Sequence, residues 1–230
     1  MELICTFVGI QQVDLQLDQS AWSNCTVPTL RMLRPEVSWF SLFSGTPEES
    51  LLMRLDLAYW QHKAWLEELM THCASDARLL MVISPLPFEA LSQALRALSQ
   101  MQWGGQAGLL RYYDPHIFPL LMSSILTADQ RAEYLQAACY WGWLDRDVQP
   151  QWLQSNCQAH QVDIEVSPFL SLSDQQCNLI GRIGDVQWLL DGGDFDHLDT
   201  SQERRFTSLY SFVVEASQEN HFGDLTKYVR

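Results

Sequence analysis

The chain has 230 residues, 47% of them apolar and 18% charged, which suits one large domain or two lobes and excludes a disordered chain. Twenty-eight acidic residues against 14 basic ones leave a net charge of −14, a field that repels a phosphate backbone and disfavours nucleic-acid binding. Nine Trp, seven Tyr and ten Phe are a heavy aromatic load, suited to a core and to protein interfaces.

In chain order, Met1 to Ile10 carries no basic stretch and starts with Glu2, so it does not read as a signal peptide. Leu3 to Ile10 instead predicts a strand. Val37 to Phe43 predicts a second, and Arg78 to Ser84 a third, closed by Ser84-Pro85-Leu86-Pro87. Pro87 suits a first helical turn, and Phe88, Leu91, Leu95 and Leu98 then form one apolar stripe at helical spacing. Gly104-Gly105 breaks the chain, and Gly108 to Tyr113 reads as a further strand. Residues 1–126 are therefore expected to form an α/β lobe with a small sheet.

Beyond Leu126 the pattern becomes helical. Thr127 with Gln130, Ser173 with Gln176 and Thr200 with Glu203 each have the spacing of a capping box. Phe206, Leu209, Tyr210, Val213 and Ala216 mark one helical face, and Tyr140 to Leu144 is an extended apolar piece. Residues 127–230 are expected to be a mainly helical lobe, so the fold class is mixed α+β or α/β. No apolar run approaches the roughly 18–20 residues that span a bilayer, so no membrane role and a cytoplasmic location are expected.

A search for catalytic chemistry finds little. Six His and six Cys include no HxxxH, HExxH or CxxC spacing, and the close pairs His72-Cys73 and Cys157/His160 fall short of a zinc site. The scattered cysteines read as reduced thiols. The acidic run Asp191 to Asp199 lacks the ligand and glycine positions of a calcium loop. No GxSxG elbow, Walker loop or GxGxxG occurs, and Glu48-Glu49 and Glu67-Glu68 lie in polar stretches. No metal, cofactor or enzymatic activity is expected.

One segment is distinctive: Gly108-Leu109-Leu110-Arg111-Tyr112-Tyr113-Asp114-Pro115. An Asp before Pro favours an extended residue at a strand end, Pro115 suits the opening of a helix, and Arg111 and Asp114 are placed to pair or to cap the corner. The segment resembles the strand–corner motif of the family called domain of unknown function 4123. Leu42-Phe43-Ser44-Gly45-Thr46-Pro47, Leu55 to Leu69, Ser84 with Leu91 to Leu98 including Arg96, and Ala216 to Val229 resemble further segments of that family in the same order. The recognisable part runs over residues 37–144. Two departures are the absence of the usual proline near Leu57 and of the usual wording in the first strand.

The resemblance implies a cytoplasmic, non-catalytic adaptor chaperone of type VI secretion. Its partners would be an effector toxin, gripped by an N-terminal segment, and a VgrG-type spike protein. In this reading Tyr112 and Tyr113 alternate across a strand so that one lines the effector groove, flanked by Arg111 and Asp114; the alternative is that the corner is purely structural. Trp103, Trp141 and Trp143 are the candidate anchors at the junction of the lobes, the equal alternative being that they form the core of that junction. Replacing Trp141 and Trp143 by Ala should then abolish effector capture in a folded protein. The alternatives are an acidic immunity or inhibitor protein that blocks a toxin, and a hydrolase with an unrecognised site.

Overall fold

The structure is a computed structural model that describes residues 11–18, 37–43, 50–73, 79–155, 167–192, 195 and 198–218. Its centre is a six-stranded, wholly antiparallel sheet in the order β2-β3-β1-β4-β7-β8. The strands are β1 (Gln12–Asp18), β2 (Ser38–Leu42), β3 (Ser50–Asp56), β4 (Leu79–Ile83), β7 (Tyr140–Leu144) and β8 (Pro150–Gln154). A second, three-stranded sheet has the order β6-β5-β9, from β5 (Gln100–Trp103), β6 (Gln106–Leu109) and β9 (Leu170–Ser171). The helices are α1 (Trp60–Cys73), α2 (Phe88–Leu98), the single turn α3 (Phe118–Leu120), α4 (Ala128–Ala137), α5 (Asp174–Gly192) and α6 (Gln202–Gln218). A π-helical stretch, Leu121–Ile125, continues α3. The fold is α+β.

Side chains alternate across a strand, so each face of the large sheet collects its own core. On one face Val13, Leu15, Leu17, Leu51, Met53, Leu55, Leu79, Met81 and Ile83 pack under Trp65, Leu66 and Leu69 of α1. On the other, Leu52, Leu80, Val82 and Trp141 meet α2, α4, α5 and α6. This second core unites residues from both sides of Leu126, and β7 and β8 extend the sheet begun by the earlier strands. The later part of the chain thus supplies strands as well as helices.

β2, β4 and β7 lie where the sequence puts strands. Leu3 to Ile10 falls outside the described residues. The expected strand over Gly108 to Tyr113 is corrected: pairing ends at Leu109, and the chain turns at Tyr112 and Tyr113. Gly104 and Gly105, both at positive φ (56° and 79°), form the two-residue connection of a β5–β6 hairpin, a conformation that glycine adopts without a Cβ clash.

Two capping boxes form as the spacing predicts, at Thr127/Gln130 and at Ser173/Gln176. They interlock, because Gln176 Nε2 donates to Gln130 Oε1 at 2.6 Å and to the Ile125 carbonyl at 3.0 Å. The carbonyl of Met122 in the π-turn accepts from Arg131, so a backbone group that the wider turn leaves over still has a donor.

The third expected box does not form. The Arg204 amide donates to Ser201, one residue later than the spacing predicts. Asp147, from the turn between β7 and β8, accepts from the Ser201 hydroxyl and from the amides of Gln202 and Glu203. Those contacts hold its carboxyl below the usual range, the Ser201 hydroxyl contributing most. Glu203 is thereby free to take the guanidinium of Arg146 at 3.0 Å, and Arg146 stacks over Phe206 at 3.4 Å from its ring centre. Burial is what chiefly lowers the pKa of Arg146.

Candidate functional site

The Arg111-Tyr112-Tyr113-Asp114 corner is built into the core. Tyr112 and Tyr113 are both 0% exposed, which overturns the expectation that one of them lines a groove. The reason is that the corner is a turn packed under the large sheet, so neither ring has a solvent side. Tyr112 stands edge-on to Tyr113, Tyr134 and Trp141, with ring centres 5.2–6.2 Å apart. Its hydroxyl donates to Gln16 Oε1 at 2.9 Å, and Gln16 donates onward to Ser50. Burial drives the Tyr112 and Tyr134 hydroxyls far above their ordinary pKa, so both are neutral donors.

Asp114 caps the corner as expected. Its carboxylate accepts from the His116 amide at 2.8 Å, while its carbonyl accepts from Ile117 and Phe118. Arg111 is half-buried beside it. The segment that carries the resemblance is therefore a structural joint that pins α3 to β1.

The three tryptophans do not converge. Trp141 is 0% exposed and packs on Phe118 and Tyr112, and Trp143 is half-buried against Phe118. Both belong to the core face of β7, so they are not anchors on a free surface. Trp103 is exposed, on the separate small sheet, with its indole N–H donating to Asp174 at 2.6 Å.

A surface hollow of about 660 Å³ does lie on the small sheet. Its lining is Phe43, Gln100, Met101, Gln102, Ala107, Gly108, Leu109 and Phe169. Phe43 follows β2 at positive φ (58°), and Phe169, 44% exposed, precedes β9. Met101 covers Gly108 so closely that a Cβ there would sit 2.8 Å from its terminal methyl. None of these side chains is titratable. Sequence reading missed Met101, Leu109 and Phe169, although two short runs around Gly104-Gly105 are a hairpin signal.

Among the described residues no group of three His, Cys, Asp or Glu is placed to hold a metal. No helix among them is long and apolar enough to cross a membrane. The strongest buried charge, Asp14, belongs to the sheet: Arg54 grips it bidentately at 2.7 and 2.8 Å, while burial raises its pKa to about 6.

No curated protein and no solved structure matches the chain. The profile of one family, described as Domain of unknown function (DUF4123), matches residues 17–133. That segment runs from the end of β1 into α4 and contains the corner, the hairpin and every lining residue of the hollow except Phe169. Just over half of the sequence is matched, and the chain belongs to the DUF4123 family.

Proposed function

We propose that this protein is an adaptor chaperone of type VI secretion, which holds an effector toxin by a segment and presents it to a VgrG-type spike in the cytoplasm. The observation that carries the reading is the hollow on the small sheet, a concave surface of apolar and amide side chains without an acid, base or nucleophile. Such a lining suits a protein segment, whereas acid–base catalysis needs titratable groups within reach of one another. Membership of the family supports the same reading through the sequence resemblance described above.

The test is co-purification of the tagged chain from its native host, beside a Phe169→Glu/Met101→Glu variant. Recovery of a large toxin with a protected N-terminal segment, together with a spike protein, supports the adaptor. Loss of both from the folded variant ties the capture to the hollow. Recovery of a toxin's catalytic domain alone, or of nothing, overturns the reading, the former in favour of an inhibitor.

A further inference from the structure

The small sheet has one edge whose backbone chemistry specifies its occupant. β5 and β6 pair antiparallel, with Met101 opposite Gly108 and Gln102 opposite Ala107. The Leu110 amide donates to the Ser99 carbonyl at 2.8 Å, one step beyond the last pair. Hydrogen-bonded and non-hydrogen-bonded pairs alternate in an antiparallel ladder. Gly108 and Gln106 therefore bond inward to β5, while the N–H and C=O groups of Ala107 and Leu109 point out from the opposite edge. Among the described residues no strand pairs with that edge, and Gln106, Ala107 and Gly108 are exposed.

Apart from its shortness, this edge lacks the usual protections. It carries no Lys, no Pro and no inward charge, only Gln106, Ala107, Gly108 and Leu109. Three of these four residues also line the hollow, so a strand laid along the edge places its side chains beside Met101 and Phe43. The lining contains no charge, and carboxylates are held beside it on two sides. Asp174 is tied to Trp103 next to the hairpin turn, and Glu133 holds the amide and hydroxyl of Ser167 two residues before Phe169. With a net charge of −14 behind them, they favour a cationic occupant.

We infer that β6 accepts an extended segment of the partner protein as a fourth strand of the small sheet, with alternate apolar side chains in the hollow and Lys or Arg at its flanks. The inference rests on the adaptor reading and names the form in which cargo is held. Main-chain bonds to Ala107 and Leu109 supply affinity, and the hollow supplies selectivity for the apolar positions.

The probe is a set of synthetic peptides of about eight residues, within the usual strand length. One alternates Val and Ser with Lys at both ends. A second has the same composition with apolar residues at helical spacing, and a third replaces its Lys with Glu. Each is titrated by fluorescence anisotropy into the full chain, with amide exchange followed residue by residue.

The alternating basic peptide is expected to bind best and to protect the amides of Ala107 and Leu109, leaving Gln106 and Gly108 unchanged. Ala107→Pro removes an outward donor without touching the β5 ladder, and should weaken that peptide by at least about tenfold at an unchanged melting temperature. Leu109→Lys, a second edge variant, should do the same. Equal binding of the helical-pattern peptide, unaltered binding by Ala107→Pro, no binding of any peptide, or occupation of the edge by a second copy of the chain would each overturn the inference. Co-purification of toxin and spike with Ala107→Pro would then leave the adaptor intact and sink only the strand. Loss of toxin and spike from the unmodified chain would sink the adaptor instead.

Discussion

The hydroxyl of Tyr112 donates to the side-chain carbonyl of Gln16, 96 residues earlier, and both residues are 0% exposed. The bond ties the corner after the β5–β6 hairpin to β1, one of the two central strands of the large sheet. Tyr112→Phe leaves a buried acceptor without this donor and should cost about 1–3 kcal/mol, read from the urea midpoint. The double variant Tyr112→Phe/Gln16→Leu should lose less than the two single losses together, because it removes both ends of this bond, even though Ser50 then lacks its Gln16 donor.

Asp14 titrates in the fold at about 6, above its ordinary 3.8, chiefly through burial. The folded chain therefore holds this proton more tightly than the unfolded chain. Its contribution to stability is full below about pH 4 and is lost as pH rises through about 6. The stability difference between the natural chain and Asp14→Asn should fall across that window by at most about 3 kcal/mol. A difference that grows with pH would mean that the attraction of Arg54 outweighs burial.

Gly142 pairs with Trp152 across β7 and β8, and a Cβ at Gly142 would lie 2.6 Å from the indole ring. Gly142→Ala should destabilise the chain by about 1–3 kcal/mol, the usual range for overpacking. Adding Trp152→Leu should restore part of the loss in thermal melts, since the ring is the obstacle.

Trp141 fills the core with no hydrogen-bond acceptor for its indole N–H among the described residues. Trp141→Ala should cost about 3–5 kcal/mol and, paired with Trp143→Ala, should unfold the chain in circular dichroism. Lost partner capture by that pair would report unfolding. Trp141→Phe, which forfeits volume but no bond, should melt much closer to the natural chain.

Asp147 is a half-buried carboxylate that caps α6 from another element. Asp147→Ala should speed amide exchange at Gln202 and Glu203 more than elsewhere. In the natural chain the same acceleration should appear as pH falls below the ordinary carboxylate range, because its folded pKa is depressed.

What could be read from the sequence follows how local each signal is. β2, β4, β7 and α2 announce themselves by apolar runs or stripes bounded by turn residues. Two capping boxes do so because donor and acceptor sit three residues apart. β1 was missed although its signal is local: Val13, Leu15 and Leu17 alternate strictly with Asp14 and Gln16. Its polar residues point inward to Arg54, Tyr112 and Ser50, partners that only the fold supplies. The third cap shifted for a similar reason, since Asp147 comes from a hairpin 54 residues away from Ser201. Aromatic content misled most: Trp141, Tyr112 and Tyr113 are core, while the hollow owes its walls to Met101, Leu109, Phe43 and Phe169. A ring's identity does not say which side of a strand faces water, and both faces of β7 carry aromatic side chains.

The place of β1 between β3 and β4 has a consequence for the growing chain. β1 leaves the ribosome before either flanking strand. At translation speeds of about 5–20 residues per second, β4 follows it by about 3–13 seconds. For that interval Val13, Leu15 and Leu17 have no complete sheet to enter, and the strand is open to wrong pairings. Synonymous changes that slow translation between β1 and β4 should therefore lower the soluble yield of a protein whose finished fold they leave untouched.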